Sequence, residues 1–376
     1  MQTLIKWPGG KSKELQYVKQ LMPRDYNTYI EPFFGGGAVY FHIEPQKAIV
    51  NDLCKELILF YRYVKGDLDR GLFKLELYKY VECWESIHKY MESIFKELLK
   101  IYLDFRQGLS NPDQVAERVL GLFIANHVLL NSYFPVDFTV IPQNFTGQMV
   151  DNTIAKLKRI KALEEKQGYL SIEDVQKNIE TAIRSGIYMH FRDLLNKNMW
   201  NKEISEAKKI ANYYFIREFC YGSMFRFNSK GEFNIPYGGI AYNRKDFRKK
   251  VDQVFSEKSK AILGNTTIEN MDFEKFFDKY ALAHNDFVFL DPPYHSDFSE
   301  YQQNSFSMED QKRLARCLLN LKARFVLIIK NTDFIMSLYK NQPGIHINSF
   351  DKTYLYNVRG RNNRKAEHLL IYNYTN

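Results

Sequence analysis

The stretch NTYIEPFFGGGAVYFHIEPQKAIVND, residues 27–52, decides the fold. NTYI reads as a short strand and is followed at once by EPFFGGG. A helix-compatible run begins at Ala38, and KAIV at 47–50 is a second strand closing on Asn51 and Asp52. Strand, glycine turn, helix, strand is half of a nucleotide-binding unit. Gly35, Gly36 and Gly37 let backbone approach a ligand more closely than any side chain would allow. The amides opening the helix behind them favour a carboxylate or phosphate. Asp52 stands where a carboxylate accepts hydrogen bonds from ribose hydroxyls. The position three after Gly37 is Tyr40, so the dinucleotide fingerprint is absent, which counts against NAD or FAD. A ligand with one nucleoside and no pyrophosphate fits better.

Working outward, KWPGGKSK at 6–13 places an indole and two lysines ahead of the first strand. Trp7 is a core aromatic or part of a lid, and Lys11 a solvated cation or a partner for a cofactor carboxylate. After LCKELILFYRYVKG the texture changes. From about residue 60 to 220, apolar residues recur at three- and four-residue spacing, which predicts amphipathic helices. NSYFPVDFTVIPQNFTG interrupts them and reads as an irregular connection. FRFNSKGEFNIPYGG at 225–239 predicts a β-hairpin turning at Ser-Lys-Gly. Strands return in NDFVFLDPPY, ARFVLIIKN, GIHINSF and AEHLLIYNY. The expected fold class is α/β, a doubly wound, mostly parallel sheet with an inserted, mainly helical domain. Residues 1–60 and 261–376 would form the sheet domain and 61–260 the insertion, carrying the hairpin.

Lys and Arg outnumber Asp and Glu by 53 to 44, a net charge of +9 that suits a polyanionic partner without requiring one. The excess is concentrated in RKDFRKK at 244–250 and VRGRNNRK at 358–365. The four cysteines form no CxxC pair, which excludes a zinc pattern and points to reduced thiols. MQTLIKWPGGKSK is not a secretory signal, and no run of 18 apolar residues exists. The expected setting is the cytoplasm or nucleoid, with no membrane contact.

FLDPPY at 289–294 ends an apolar strand on a rigid corner. Pro292 and Pro293 cannot donate, yet each keeps an acceptor carbonyl, and Asp291 as a carboxylate only accepts. Such a corner complements a planar group bearing NH2, with Tyr294 as a stacking surface. An aromatic amine is a poor nucleophile because its lone pair is delocalised. Two acceptors on its hydrogens draw the nitrogen toward tetrahedral geometry and meet the positive charge that develops there. A methyl sulfonium held in line would be the electrophile, and no metal is required.

KWPGGK, EPFFGGG, Asn51-Asp52, FRFNSKGEFNIPYG, ENMDF at 269–273, DPPY and the closing NRKAEHLL occur in one order. Together they resemble the Dam-like adenine-N6 DNA methyltransferases, the D12 class with the alpha order of motifs. The resemblance implies S-adenosyl-L-methionine as donor and S-adenosyl-L-homocysteine as product. It implies that Trp7 and Lys11 line the cofactor and that Glu31, Pro32, Phe33, Gly35 and Gly37 form its turn. Asp52 would hold the ribose, Asp272 and Phe273 would lie at the cofactor adenine, and Asp291, Pro292 and Tyr294 would hold a flipped target adenine. The stretch from 60 to 210 is longer and more helical than in compact members of the class.

A base inside a duplex cannot reach such a corner, so it must be flipped out at a cost of about a few kcal/mol. Arg226, Asn228, Lys230 and Asn234 of the hairpin combine donors and amides suited to groove reading. Arg244, Lys245, Arg248, Lys249, Lys250, Arg361 and Arg364 are candidate phosphate contacts. The expected partner is double-stranded DNA, and the sequence leaves open whether the enzyme accompanies a separate cognate restriction endonuclease or works alone. A monomer is the expected state, with a dimer as the alternative. Competing readings are a cytosine-N4 or RNA amino methyltransferase, and a catalytically silent DNA-binding member of the same fold. Analysis of the methylated nucleoside separates the first pair, and cofactor binding tests the last.

Overall fold

The computed structural model describes residues 1–8, 14–196, 204–224, 226–293, 306–353 and 365–375. They divide into two compact units, one of Met1–Arg70, Phe225–Gly231 and Val254–Asn376, the other of Gly71–Met224 and Glu232–Gln253.

The first unit is built on a seven-stranded sheet of order β3-β2-β1-β4-β5-β7-β6. Its strands are β1 (Tyr29–Glu31), β2 (Ala48–Asn51), β3 (Thr266–Glu269), β4 (Phe287–Leu290), β5 (Arg324–Lys330), β6 (His346–Thr353) and β7 (Lys365–Tyr372). The first five run parallel, and β7 enters antiparallel between β5 and β6. All four residues of β4, FVFL, are buried, as expected of a strand covered on both faces. The helices of this unit are α1 (Leu15–Leu21), α2 (Ala38–Ile43) and α3 (Lys55–Lys65), then, after the insertion, α12 (Glu257–Gly264), α13 (Phe273–Lys279), α14 (Met308–Leu319) and α15 (Asp333–Tyr339). One apolar core joins Val288 and Leu290 of β4 to Phe325 and Leu327 of β5, Phe276 of α13 and Leu314 and Leu318 of α14.

Between α3 and α12 lie α4 (Arg70–Arg106), α5 (Pro112–Ala125), α6 (His127–Tyr133), α7 (Val136–Thr139), α8 (Pro142–Gln167), α9 (Ile172–Asn196), α10 (Glu206–Phe219) and α11 (Phe247–Val254). The second unit packs through aromatic rings, with Tyr80 and Trp84 of α4 against Phe215 and, for Trp84, Phe219 of α10. The connection expected to be irregular is largely helical instead. Pro135 caps α7 and Pro142 occupies the first turn of α8. A proline that ends one helix is well suited to open the next.

The hairpin expectation holds only at its turn. Asn228 accepts from the Gly231 amide at 2.9 Å, and Gly231 has φ +76°. Beyond the turn, residues 220, 227, 233 and 237 make isolated bridges, and no extended strand forms among the described residues. Side chains of α9 take the ladder's place. Asn196 donates to the Phe233 carbonyl and accepts from its amide, both at 2.8 Å, while the Tyr188 hydroxyl donates to the Ile235 carbonyl at 2.9 Å. Phe225 lies outside the described residues.

Candidate active site at the β1, β2 and β4 strand ends

Strand order reverses at β1, with β2 on one side and β4 on the other, all three parallel. Ligands of open α/β sheets bind beyond the carboxyl ends of strands at such a switch point. Three carboxylates stand there. Glu31 ends β1 opposite Val50, Asp52 follows β2 and Asp291 follows β4.

Glu31 is buried, with 3% of its surface exposed, and accepts from the Tyr29 hydroxyl at 2.7 Å. Burial pushes its carboxyl well above the ordinary range. The Tyr29 hydrogen bond opposes that rise, and the charges of Asp291 and Asp52 add to it. Asp52 accepts from the Gly35 amide through Oδ2 at 2.8 Å and from the Cys54 amide through Oδ1 at 2.9 Å. Desolvation raises its carboxyl too, against the pull of those backbone donors.

The glycine turn fills the space between these acids. Gly35 has φ +49°, a region that disfavours side chains, and a Cβ there would lie 2.7 Å from Cδ1 of Trp7. A Cβ on Gly36 would meet Trp7 Cβ at 2.9 Å. The Trp7 indole therefore lies directly on the turn. Gly37, with φ +63°, caps α2. Two residues given no site role in the sequence hold the turn from beneath. The Tyr61 hydroxyl donates to the Gly35 carbonyl at 3.2 Å. Asn51, 1% exposed, donates to the carbonyls of Pro32 and Met271, both at 3.0 Å, and accepts from the Met271 amide at 3.0 Å. A polar residue closing the apolar strand AIVN was the available signal.

Asp272 caps α13 by accepting from the Glu274 amide at 3.0 Å. The same oxygen accepts from Arg313 of α14 at 2.6 Å, and Arg313 also reaches Glu274 and Asp310, each at 2.8 Å. Phe273, Phe33 and Phe306 form an aromatic triad with centroids 5.5–5.6 Å apart. Phe33 and Phe273, far apart in sequence, thus come together. Nothing in the sequence reading pointed to Phe306 or Arg313. Asp291 is half-buried, Pro292 buried and Pro293 exposed. Lys11 and Tyr294 lie outside the described residues.

The basic candidates divide. Arg226 and Lys230 are exposed, and Asn228 and Asn234 half-buried. Arg248 makes a two-pronged bond to Glu85 at 2.8 and 2.6 Å. Lys245 is held by the buried Glu218, contacting its carboxylate and donating to its carbonyl at 2.8 Å. Arg244 and Lys249 are exposed and Lys250 half-buried, and among the described residues none of the three makes an ion pair. Arg361 and Arg364 lie outside the described residues. Among the described residues no group of three or more His, Cys, Asp or Glu is placed to hold a metal ion, and no helix is long and apolar enough to cross a membrane.

Comparison with known proteins matches residues 7–354 to the family described as D12 class N6 adenine-specific DNA methyltransferase. Over its full length the chain is 25% identical to the type II methyltransferase M1.LlaDCHI of Lactococcus lactis subsp. cremoris, covering 96% of that protein. It is 25% identical to the type II methyltransferase M.MjaIII of Methanocaldococcus jannaschii, with 98% of each chain covered. Identity to M.CviBI of Paramecium bursaria Chlorella virus NC1A is 24%, with both chains fully covered. The chain belongs to the D12 class: it is an adenine-specific DNA methyltransferase that depends on S-adenosyl-L-methionine and carries its helical insertion within a doubly wound methyltransferase fold.

Proposed function

We propose that this D12-class enzyme methylates the N6 amine of an adenine flipped out of duplex DNA, at the corner formed by Asp291 and Pro292. The observation that carries the reading is the convergence of Glu31, Asp52 and Asp291 at adjacent strand ends. A buried acid whose proton affinity is raised by the charges of two neighbouring carboxylates suits a cationic ligand, and the cofactor fits because it bears a sulfonium and an ammonium. When bound, S-adenosyl-L-methionine supplies an electrophilic methyl group.

In this reading Trp7, Lys11 and the Glu31–Gly37 turn bind the cofactor, Asp52 its ribose, and Asp272 with Phe273 its adenine. Asp291 and the Pro292 carbonyl each accept one hydrogen of the target amine, and Tyr294 stacks on the base. The pair orients the nitrogen lone pair and stabilises the charge that develops on nitrogen, so the scheme asks for no metal ion. Residues 1–60 and 261–376 act as the catalytic domain and 61–260 as the target-recognition domain, with Arg226, Asn228, Lys230 and Asn234 approaching the DNA. The enzyme works as a nucleoid-associated monomer beside a cognate restriction endonuclease.

The test is methyl transfer from labelled cofactor to unmethylated duplex DNA, followed by nucleoside analysis. N6-methyladenine is the expected product, and Asp291→Ala abolishes transfer while cofactor binding survives. Full activity in that variant would remove Asp291 from the mechanism. Sequencing methylated adenines in expressing cells reads the recognition site, with GATC the first sequence to look for.

A further inference from the structure

Gln311 lies in the first turn of α14, with 0% of its surface exposed. Its neighbours on the buried face of that helix, Leu314, Ala315 and Leu318, are apolar. The Gln311 Nε2 donates to the Pro293 carbonyl at 3.4 Å, whereas its Oε1 is buried with no hydrogen-bond partner among the described residues. A buried acceptor left unpaired opposes folding, and methionine or leucine would fill the space without it. Stability alone therefore does not account for an amide at this position. Among the described residues the one bond of its side chain ends on the acceptor corner.

That corner has one loose joint. The proline rings fix φ at 292 and 293. A residue that precedes proline is restricted in ψ, which constrains Asp291 and Pro292 in turn. The residue after Pro293 is not proline, so ψ of Pro293 is the first torsion the rings leave free. The carbonyl that reports this torsion is the one Gln311 holds. The helix bearing Gln311 is itself anchored. Ser307 and Asp310 form a capping box, Arg313 ties α14 to Asp272 and Glu274, and Phe306 packs on Phe33 and Phe273.

We propose that Gln311 is a positioning residue for methyl transfer, its amide fixing the Pro293 peptide, the one free joint of the acceptor corner that begins at Asp291. The inference rests on the reading of that corner as the site of the target amine. It acts on the rate of the chemical step and leaves cofactor affinity alone.

The experiment compares wild type, Gln311→Met, Gln311→Leu and Asp291→Ala under single-turnover conditions with saturating cofactor and duplex DNA. Calorimetric cofactor binding and thermal midpoints are measured on the same preparations. Either apolar variant should lose on the order of tenfold to a hundredfold in single-turnover rate, the scale of a small misplacement. Its cofactor affinity should stay unchanged and its midpoint equal to or above that of wild type. A wild-type rate in a folded Gln311→Met or Gln311→Leu, with Asp291→Ala inactive, overturns the role of Gln311 and leaves the corner standing. Parallel losses of rate, cofactor binding and midpoint assign Gln311 to packing and also overturn it. An active Asp291→Ala instead removes the corner on which the proposal rests.

Discussion

The Gly35 amide donates to Oδ2 of Asp52 at 2.8 Å, so the turn after β1 is fastened to the carboxylate after β2. The other oxygen of Asp52 holds the Cys54 amide. One side chain therefore shapes the turn and the start of the segment leading into α3. Asp52→Ala orphans both amides, at a cost of roughly 1–3 kcal/mol for each one shut off from water. Asp52→Asn keeps a single acceptor oxygen and cannot serve both donors as the carboxylate does. Calorimetry should find cofactor affinity reduced at least about tenfold in both variants, the worth of one hydrogen bond to a charged group. The thermal midpoint should fall further in Asp52→Ala. Unchanged affinity in Asp52→Asn would take the carboxylate out of cofactor binding.

Trp7 and Gly35 should behave as one unit. Gly35→Ala places a methyl group against the indole and forces a side chain into the left-handed region, at a cost of roughly 1–2 kcal/mol from the backbone alone. Trp7→Ala removes the steric part of that cost and leaves the backbone part. In a double-mutant cycle on chemical denaturation, the double variant should be less destabilised than the sum of the singles by about 0.5 kcal/mol or more, as contacting residues are. Strict additivity would show that Trp7 does not rest on the turn in solution.

The central strands were legible because each carries a local signal: a buried apolar run ending at an acid or an asparagine. Asp291 and Asp52 could be placed for the same reason, since a strand that ends on a carboxylate at a known sheet edge fixes where that carboxylate stands. Gln311, Arg313 and Phe306 were not legible. Their importance comes from tertiary neighbours on β4, α13 and the turn after β1, and a glutamine in a charged helix looks solvated in sequence. The hairpin shows the converse. Its alternating aromatics predicted strands, but Asn196 and Tyr188 satisfy backbone groups that a ladder would have used. The basic run at 244–250 likewise looked uniform until Glu85 and Glu218 were found holding two of its members.

Glu31 gives a pH dependence whose sign can be worked out. Its folded-state carboxyl is raised well above 4.5 by burial, with Asp291 and Asp52 adding to the rise, so the folded chain binds this proton more tightly than the unfolded chain. The stability it contributes is complete below about 4.5 and is lost as pH rises through the folded value. Glu31→Gln cannot ionise. Without cofactor it should melt higher than wild type at pH 8, with the gap closing as pH falls toward the ordinary carboxylate range. Cofactor binding should respond in the opposite sense. A cationic ligand favours the ionised acid, so wild-type affinity rises with pH while the variant stays weaker and flatter across the same interval. A melting gap that widens on acidification would reverse the assignment.

Arg248 and Lys249 are adjacent in sequence and should differ in function. Arg248 is clasped by Glu85, and both partners are about half exposed, so the pair is screened and contributes at most about 1 kcal/mol to stability. Arg244, Lys249 and Lys250 make no ion pair among the described residues and keep their charge for an external anion. If each meets a DNA phosphate, replacing all three with alanine lowers the slope of log affinity against log salt by about 0.9 per lost contact. The affinity loss should be similar for specific and nonspecific duplexes, because phosphate contacts carry no sequence information. Arg248→Ala should leave the slope near that of wild type and show its effect in a small drop in thermal midpoint. Titrations of a fluorescent duplex at several salt concentrations separate the two. A slope change in Arg248→Ala as large as one-third of that in the triple variant would mean that Glu85 releases the guanidinium to DNA.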